Sequence, residues 1–411
     1  MQYSHTLANG LVLVGESMPW LESVALSFAL PAGSRHDAPG LAGLASLTAE
    51  MVQRGCGARD SRQFLEDLER LGVESSGSVA NAHSSFGAAM IADKLPVLLA
   101  MYADLVRRPL LPEEEFEDAA QSCLQEIQAL DDELAQRVFH ELRRRHFADP
   151  YGRTQLGTRE SLAASTLSDV KRHVQQFYQP QGAILGIAGK IDWPQVVAMV
   201  ESQFGDWKPN NSEDLIEIPP ARGYEHLAMP STQTHIALAF DSTPYRDPDY
   251  YQLRGAIGVL SDGTSSRLFS EVREKRGLCY SVFANCVSLQ DRGAVQCYAG
   301  TSTERAQETL DVLIAEINRL HEGVTPEELR RLKAKMKTSL ILQQESSASR
   351  AASLVADWYY LGRVQPMQEL AAILDGLTAE SINHYLRNHP PGKLTIVTLG
   401  DKKLEVADGV S

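Results

Sequence analysis

At 411 residues the chain is two to three times the length of an ordinary domain of about 150 residues, so at least two hydrophobic cores are expected. Hydrophobic residues make up 43% and charged residues 22%, a balance that excludes a disordered tail or a fibrous repeat. Lys and Arg number 39 against 53 Asp and Glu, and the resulting net charge of −14 is the wrong sign for neutralising nucleic-acid phosphates or sitting on anionic lipid.

No run approaches the roughly 18 uncharged apolar residues that cross a bilayer. Even the stretch from Ala183 to Ile191 is cut by glycines and Lys190, so no membrane insertion is expected. Met1-Gln2-Tyr3-Ser4-His5 carries neither a basic start nor an apolar run, which predicts a cytoplasmic protein, or a periplasmic one if a leader was trimmed ahead of Met1. Cys56, Cys123, Cys279, Cys286 and Cys297 are odd in number and lack zinc-ribbon spacing, the pattern of reduced thiols.

The chain opens as a hairpin, Tyr3 to Leu7 and Leu11 to Val14, around an Asn9-Gly10 turn of the two-residue kind. Val24, Leu26 and Phe28 alternate as a strand. A helix is expected from near Gly40, and another from Ser61 with Phe64, Leu65, Leu68 and Leu71 inward before Gly72 ends it. A longer helix opens at Pro112 with Glu113, Glu114 and Glu115 in its first turn, where the helix dipole favours acids. Its apolar stripe is Phe116, Ala120, Cys123, Leu124, Ile127 and Leu130.

The second half replays this order. Ile236, Leu238 and Phe240 repeat Val24, Leu26 and Phe28 at a shift of 236 − 24 = 212. Pro326-Glu327-Glu328 repeats Pro112-Glu113-Glu114, with Thr325 and Glu328 forming a capping box. Thr378, Ile382 and Leu386 repeat Thr166, Val170 and Val174, and each set precedes a strand-like segment, Ala183 to Ala188 and Leu394 to Leu399. A nearly constant shift predicts a duplicated domain. The expected division is 1–208 and 223–411, joined by a linker at 209–222 that holds Pro209, Pro219, Pro220 and several acids. Mixed strands and helices in each half predict α+β sheets covered by helices.

Several segments carry a family resemblance. Leu7-Ala8-Asn9-Gly10-Leu11, Ala32-Gly33-Ser34-Arg35, Gly43-Leu44-Ala45, Pro150-Tyr151-Gly152-Arg153 and Leu156-Gly157-Thr158 resemble, in order, the pitrilysin/insulinase-type zinc metallopeptidases. So do Ser266-Arg267-Leu268-Phe269 and the run from Arg273 to Tyr280, so the resemblance spans essentially the whole chain. It implies two homologous α+β domains, each a mostly antiparallel sheet covered by helices, together forming half of a clamshell chamber.

The family's chemistry depends on His-x-x-Glu-His directly after Gly-Leu-Ala. Two imidazoles one helical turn apart grip zinc, a distant Glu completes the set, and the motif's own Glu activates water. Here that stretch is Ser46-Leu47-Thr48-Ala49-Glu50, so Ser46, Ala49 and Glu50 stand where the two histidines and the base belong. The resemblance implies that only the distant ligand survives, as Glu126. No metal is expected on this chain. His140 and His146 are six apart, about 240° around a helix, and His36, His83 and His173 have no paired spacing, so all are expected to be packed or solvated. No Gly-x-Ser-x-Gly elbow or phosphate loop is present, and Ser261-Asp262-Gly263-Thr264 lacks the lysine of one.

What the resemblance implies is retained is an Arg/Tyr pair seven residues apart that faces the zinc site and holds the substrate carbonyl. Arg273 and Tyr280 have that spacing, with Arg276 as the substitute arginine. A guanidinium and a phenol suit a developing oxyanion because both donate without losing a proton. Asn81 and Ala82 resemble the family's strand edge, where an extended peptide pairs with the sheet. The resemblance therefore implies a non-catalytic, substrate-binding subunit of a heterodimeric zinc metalloendopeptidase, with zinc in a homologous partner subunit and Arg273 and Tyr280 donated to that site. A homodimer is the alternative assembly in isolation. The rival functions are a catalytically inactive structural or peptide-binding protein and an autonomous peptidase with a rearranged site.

Overall fold

The computed structural model describes residues 1–210, 215–343, 345–407 and 409–410. These divide into two compact units. The first comprises 1–129, 149–218 and 342–366; the second comprises 130–148, 219–341 and 367–411, less the residues outside that description. The contiguous halves 1–208 and 223–411 are therefore not the compact bodies, because each unit borrows a helix from the opposite half of the chain. Of the expected linker, 211–214 lies outside the described residues. Ile218 belongs to the first unit, where it bridges Asp149, and Pro219 begins the return to the second.

In the first unit, β1 (Gln2–Thr6) and β2 (Val12–Ser17) form the expected hairpin. Leu7 N–H donates to Leu11 O, which closes a three-residue loop, Ala8-Asn9-Gly10, in place of a two-residue turn. Gly10 takes φ +91° there, the left-handed position such loops need. β3 (Ser23–Leu30) follows, and α1 (Leu44–Val52) starts at Gly43 instead of Gly40. Gly43 is obligatory, since its φ is +92° and a Cβ would lie 2.5 Å from Leu156 O. Asp37 caps the helix by accepting from Gly43 N–H (2.7 Å) and Ala45 N–H (2.8 Å).

A small ladder, β4 (Gly55–Cys56) and β5 (Arg59–Asp60), leads into α2 (Ser61–Arg70), where Asp60 and Gln63 make a capping box. Phe64 and Leu68 are buried as expected, whereas Leu65 is 55% exposed because one residue of helix turns it about 100° away. β6 (Glu74–Val79), β7 (Ser84–Ile91), α3 (Leu95–Arg107) and α4 (Phe116–Asp132) come next, α4 entered through a short 3₁₀ turn at Glu113–Glu115. The chain then runs through α5 (Leu134–His146), α6 (Arg159–Ala164), α7 (Leu167–Phe177), β8 (Ile184–Gly189) and α8 (Trp193–Phe204).

The second unit brings β9 (Tyr224–Ala228), β10 (Gln233–Ser242), α9 (Tyr250–Ser261), β11 (Cys279–Ser288), β12 (Gly293–Ser302) and α10 (Ala306–Asn318). It closes with α11 (Pro326–Gln343), α12 (Ser347–Leu361), α13 (Met367–Gly376), α14 (Ala379–Asn388) and β13 (Thr395–Gly400), of which α12 docks in the first unit.

The duplication is visible strand by strand. The first sheet runs β1-β2-β8-β3-β7-β6 and the second β9-β13-β10-β12-β11, so dropping β1 leaves the same order. Both are antiparallel except for one pair each, β2 with β8 and β9 with β13. Matching helices keep the shift, as with α7 and α14 at 379 − 167 = 212. One face of each sheet packs on the helices of its own half around Phe28, Phe86 and Leu98, or around Ile236, Leu260 and Leu310.

The other face of each sheet carries the borrowed helix. Ala351, Leu354 and Val355 of α12 pack on Val14, Ala25 and Ile184, while Val138 and Leu142 of α5 pack on Ala237, Ala239 and Val397. The two helices are themselves duplicates, at 347 − 134 = 213. Each is fastened by polar groups. Arg350, whose side chain is 2% exposed, donates to Glu16 of β2 at 2.6 and 2.9 Å. Gly186 lets α12 approach, since a Cβ there would lie 2.5 Å from Ala351 O. On α5, His146 Nδ1 lies 3.0 Å from Thr395 Oγ1, and Nε2 lies 3.3 Å from Asp241, which Arg222 grips at 2.6 and 2.7 Å.

Breaking one partner of a buried pair strands the other charge. Arg350→Met is expected to destabilise the protein by about 3 kcal/mol, read as a lower urea midpoint, with Glu16→Leu in the same chain recovering most of the loss. A fragment ending at residue 210 lacks α12, so its first sheet has a bare apolar face; it is expected to bind an apolar dye and show no cooperative melt, and a soluble, cooperatively melting fragment would contradict the exchange.

Candidate functional site

The degenerate motif lies on α1, with Glu126 on α4. Ser46 Oγ donates to Gln155 O at 2.7 Å, so the hydroxyl serves the loop that packs over the helix. Ala49 is buried and has no side-chain donor. Glu50 is held at 2.8 Å by Arg54, two residues past the end of α1, and Arg54 reaches Glu115 at 3.2 Å. The pKa of Glu126 is raised by partial burial and then by the nearby charge of Glu50. Cys123, beside these acids, has its thiol pushed up to about 12, chiefly by burial and then by Glu126 and Glu50, so it stays protonated. Zinc needs a set of deprotonated nitrogen, sulfur or oxygen ligands around one point. Among the described residues no cluster of three or more His, Cys, Asp or Glu could hold a metal. The residues at the motif do not fit the family's zinc.

Arg273 and Tyr280 are brought together. Arg273 lies in a π-helical turn, Phe269–Glu274, and Tyr280 near the start of β11, the edge strand of the second sheet. The register against β12 shifts between Cys279 and Ser281, so Tyr280 sits in a bulge, the distortion that turns a strand side chain out of the ladder. It is 84% exposed. Arg273 donates to Tyr280 O at 2.8 Å, and its guanidinium carbon lies 4.8 Å from the centroid of the Tyr280 ring and 4.8 Å from that of Phe269. Among the described residues no carboxylate forms an ion pair with Arg273, so its charge is uncompensated.

The substitute, Arg276, is placed differently. It donates to both the carboxylate and the backbone carbonyl of Glu271 at 2.8 Å, and its charge is spent there. Hydrogen bonds from Lys275 and then Arg276 hold the Glu271 carboxyl below its usual range. Phe269 was missed as a site residue, although an aromatic four residues ahead of an arginine is a recognisable cation–π spacing on a helical turn.

Asn81 and Ala82 are not on an open strand edge. The edge strand is β6, which ends at Val79, and both residues follow it, buried, in the turn to β7. Asn81 O already accepts from Arg35 N–H, and its side-chain amide donates to Pro150 O (3.2 Å) and Tyr151 O (3.3 Å). Gly33 presses so close that a Cβ would lie 2.4 Å from Asn81 O. The turn is anchored to neighbouring loops, and the unpaired backbone belongs to Glu74–Val79.

Three histidines with no sequence pairing converge beside that turn. His36 receives a hydrogen bond from Arg35 at 3.1 Å and packs on Phe177, which His173 also touches, and His83 packs edge-on against Tyr359. Burial lowers His36 to about 3, with Arg35, His173 and His83 adding repulsion. His83 and His173 fall to about 4, mainly through burial. All three are neutral packing groups at neutral pH.

Comparison with known proteins adds to this geometry. Residues 13–159 match the model of the insulinase family (peptidase family M16), and residues 165–336 match that of the peptidase M16 inactive domain. Among curated sequences the chain is similar to an uncharacterized zinc protease of Rickettsia felis, at 25% identity over 92% of each chain. It is also similar to the uncharacterized zinc protease YmxG of Bacillus subtilis, at 26% identity over 93% of this chain and 94% of that one. Among solved structures, a peptidase M16 inactive domain from Pseudomonas fluorescens superposes with a TM-score of 0.88 at 23% identity, covering 99% of both chains. A protease from Helicobacter pylori gives the same score at 20% identity, covering 97% of this chain and 99% of that one.

The histidine cluster predicts a pH dependence with a definite sign. Below 6.5 the unfolded chain protonates His36 while the folded chain does not until about 3, so stability is lost as pH falls through that window. His36→Phe keeps the packing on Phe177 and removes the titration. Relative to this variant, the wild type is expected to lose about 2 to 4 kcal/mol between pH 6.5 and 3.5, measured by urea unfolding at each pH. Asp37, whose raised pKa of about 7 acts in the opposite sense, is common to both chains and cancels.

Proposed function

This chain belongs to the pitrilysin/insulinase-type (M16) peptidase family, and we propose that it acts there as the substrate-binding subunit of a two-chain zinc metalloendopeptidase. A homologous partner carries the zinc, and Arg273 and Tyr280 are presented to the peptide bound at that centre. The carrying observation is an asymmetry: the motif on α1 keeps no metal-donor set, whereas a half-buried Arg273 and an exposed Tyr280 are held together, and among the described residues no acid pairs with Arg273. A guanidinium so held supplies a permanent positive charge and directed N–H donors where an oxygen gains negative charge, and the phenol adds an O–H. Sequence similarity to zinc proteases over nearly the whole chain supports the peptide as the substrate class. The outer edge of strand β6, which is rich in serine, offers backbone groups to an extended peptide of loose sequence preference.

The test is reconstitution with the homologous subunit that carries His-x-x-Glu-His. Neither chain alone is expected to cleave a quenched fluorescent peptide, and the mixture is. Arg273→Ala is expected to lower kcat of the formed complex about 100-fold, and Tyr280→Phe about 10-fold, with assembly unchanged by sedimentation. Unaltered turnover in a complex of Arg273→Ala would remove the assigned role. A stable complex with no turnover under any pairing would favour an inactive structural or peptide-binding protein.

A further inference from the structure

We propose that Phe269 is the positioning residue for Arg273, clamping the guanidinium between two aromatic faces so that it is fixed without being neutralised. The inference rests on the reading of Arg273 as the donor, and it deepens that reading by saying what makes the donor usable.

Two ways of holding an arginine occur side by side in this one segment. Arg276 is held by the Glu271 carboxylate, and an acid that fixes a guanidinium also cancels its charge and occupies its N–H groups. Arg273 is held without an acid. Phe269 and Tyr280 each present a ring with its centroid 4.8 Å from the guanidinium carbon, and one N–H is tied to Tyr280 O at 2.8 Å. The electron-rich ring faces attract the cation while leaving its in-plane donors free to point outward.

The two rings are unequal supports. Tyr280 is exposed on its bulge, whereas Phe269 is half-buried at the start of the π-helical turn that carries Arg273 four residues later. The adjoining residues, Leu268 and Val272, are fully buried in the core of the second unit. Phe269 is thus the ring tied to the core, and Arg273 and then Tyr280 stack outward from it. A hydrogen bond to one carbonyl leaves the rest of a long side chain free to swing, so the anchored face is what sets the guanidinium plane.

The clamp is measured on the isolated chain, without a partner. With arginine side chains ¹⁵N-labelled, the Arg273 Nε–H signal, identified by its loss in Arg273→Lys, is expected to show an order parameter near that of rigid backbone, about 0.85. Phe269→Leu, which keeps an apolar side chain without a ring face, is expected to drop it below about 0.6, and Phe269→Tyr to keep the wild-type value. Phe269→Met serves as the second ring-free variant if the leucine chain fails to fold. An unchanged order parameter in a folded ring-free variant overturns the proposal.

In the reconstituted peptidase, Phe269→Leu is expected to lower kcat about 10-fold with KM little changed, and Phe269→Tyr to restore it. If Phe269→Leu loosens the signal while Arg273→Ala leaves turnover unaltered, the clamp stands and the role assigned to Arg273 falls. If Arg273→Ala abolishes turnover while Phe269→Leu leaves the signal rigid, the role stands and the clamp falls.

Discussion

Each sheet in this protein is completed by a helix from the opposite half of the sequence, and the rest of the structure depends on that exchange. A sheet with both faces apolar cannot stand in water with one face bare. The helices of each half cover one face, and α12 or α5 covers the other. Neither half of the chain therefore contains all the surface it needs to bury. The fastening groups suit this arrangement, because a buried Arg350–Glu16 pair and the His146–Asp241–Arg222 chain reward one seating of the helix and penalise displaced ones. Such pairs add little net stability over apolar packing, but they select register.

On this scaffold the two candidate centres have opposite chemical fates. At α1 every group that could have coordinated a metal is absent or otherwise engaged: Ser46 bonds a loop carbonyl, Ala49 packs, and Glu50 pairs with Arg54. These replacements favour the helix itself. Alanine is the strongest helix former, and the Glu50–Arg54 pair ties the last turn of α1 to the residues that follow it. The segment reads as ordinary secondary structure, with Glu126 left beside Glu50 as the remaining acid. At the π-turn and β11 the local structure works the other way. A wide helical turn, a bulge and an uncompensated cation each cost stability, and together they hold one guanidinium outward.

Much of the fold was legible because it was written twice. Val24 to Phe28 and Ile236 to Phe240 could be matched by strand alternation, and Thr166, Val170 and Val174 with Thr378, Ile382 and Leu386 by their helical spacing, since both signals are local. The helix exchange was not legible. Nothing within Leu134 to His146 or Ser347 to Leu361 says which of two similar sheets each apolar stripe will meet, so contiguous domains were the natural expectation. In the site, the spacing of Arg273 and Tyr280 led to a real contact, but Asn81 and Ala82 were placed one turn too far out. A two-residue difference separates an edge strand from the buried loop that follows it, and strand ends are set by loop packing that sequence patterns do not carry. The three histidines were invisible as a group because residues 36, 83 and 173 meet only through the tertiary fold.

Duplication also explains how one centre could be lost while the other kept its geometry. The zinc-motif helix α1 belongs to the first copy, and at a shift of 212 its counterpart α9 has Gly258, Val259, Leu260 and Ser261, with Asp262 just past its end, so no His-x-x-Glu-His stands there either. The Arg/Tyr pair belongs to the second copy, and the first has Ser61 and Leu68 at a shift of 212, neither of which can replace it. The two candidate centres therefore share no residue and sit on separate cores. Substitutions at α1 change nothing in the packing that fixes Phe269, Arg273 and Tyr280. Mutations at well-separated sites with no common partner act independently, so changes at α1 leave the arrangement of Phe269, Arg273 and Tyr280 as it is.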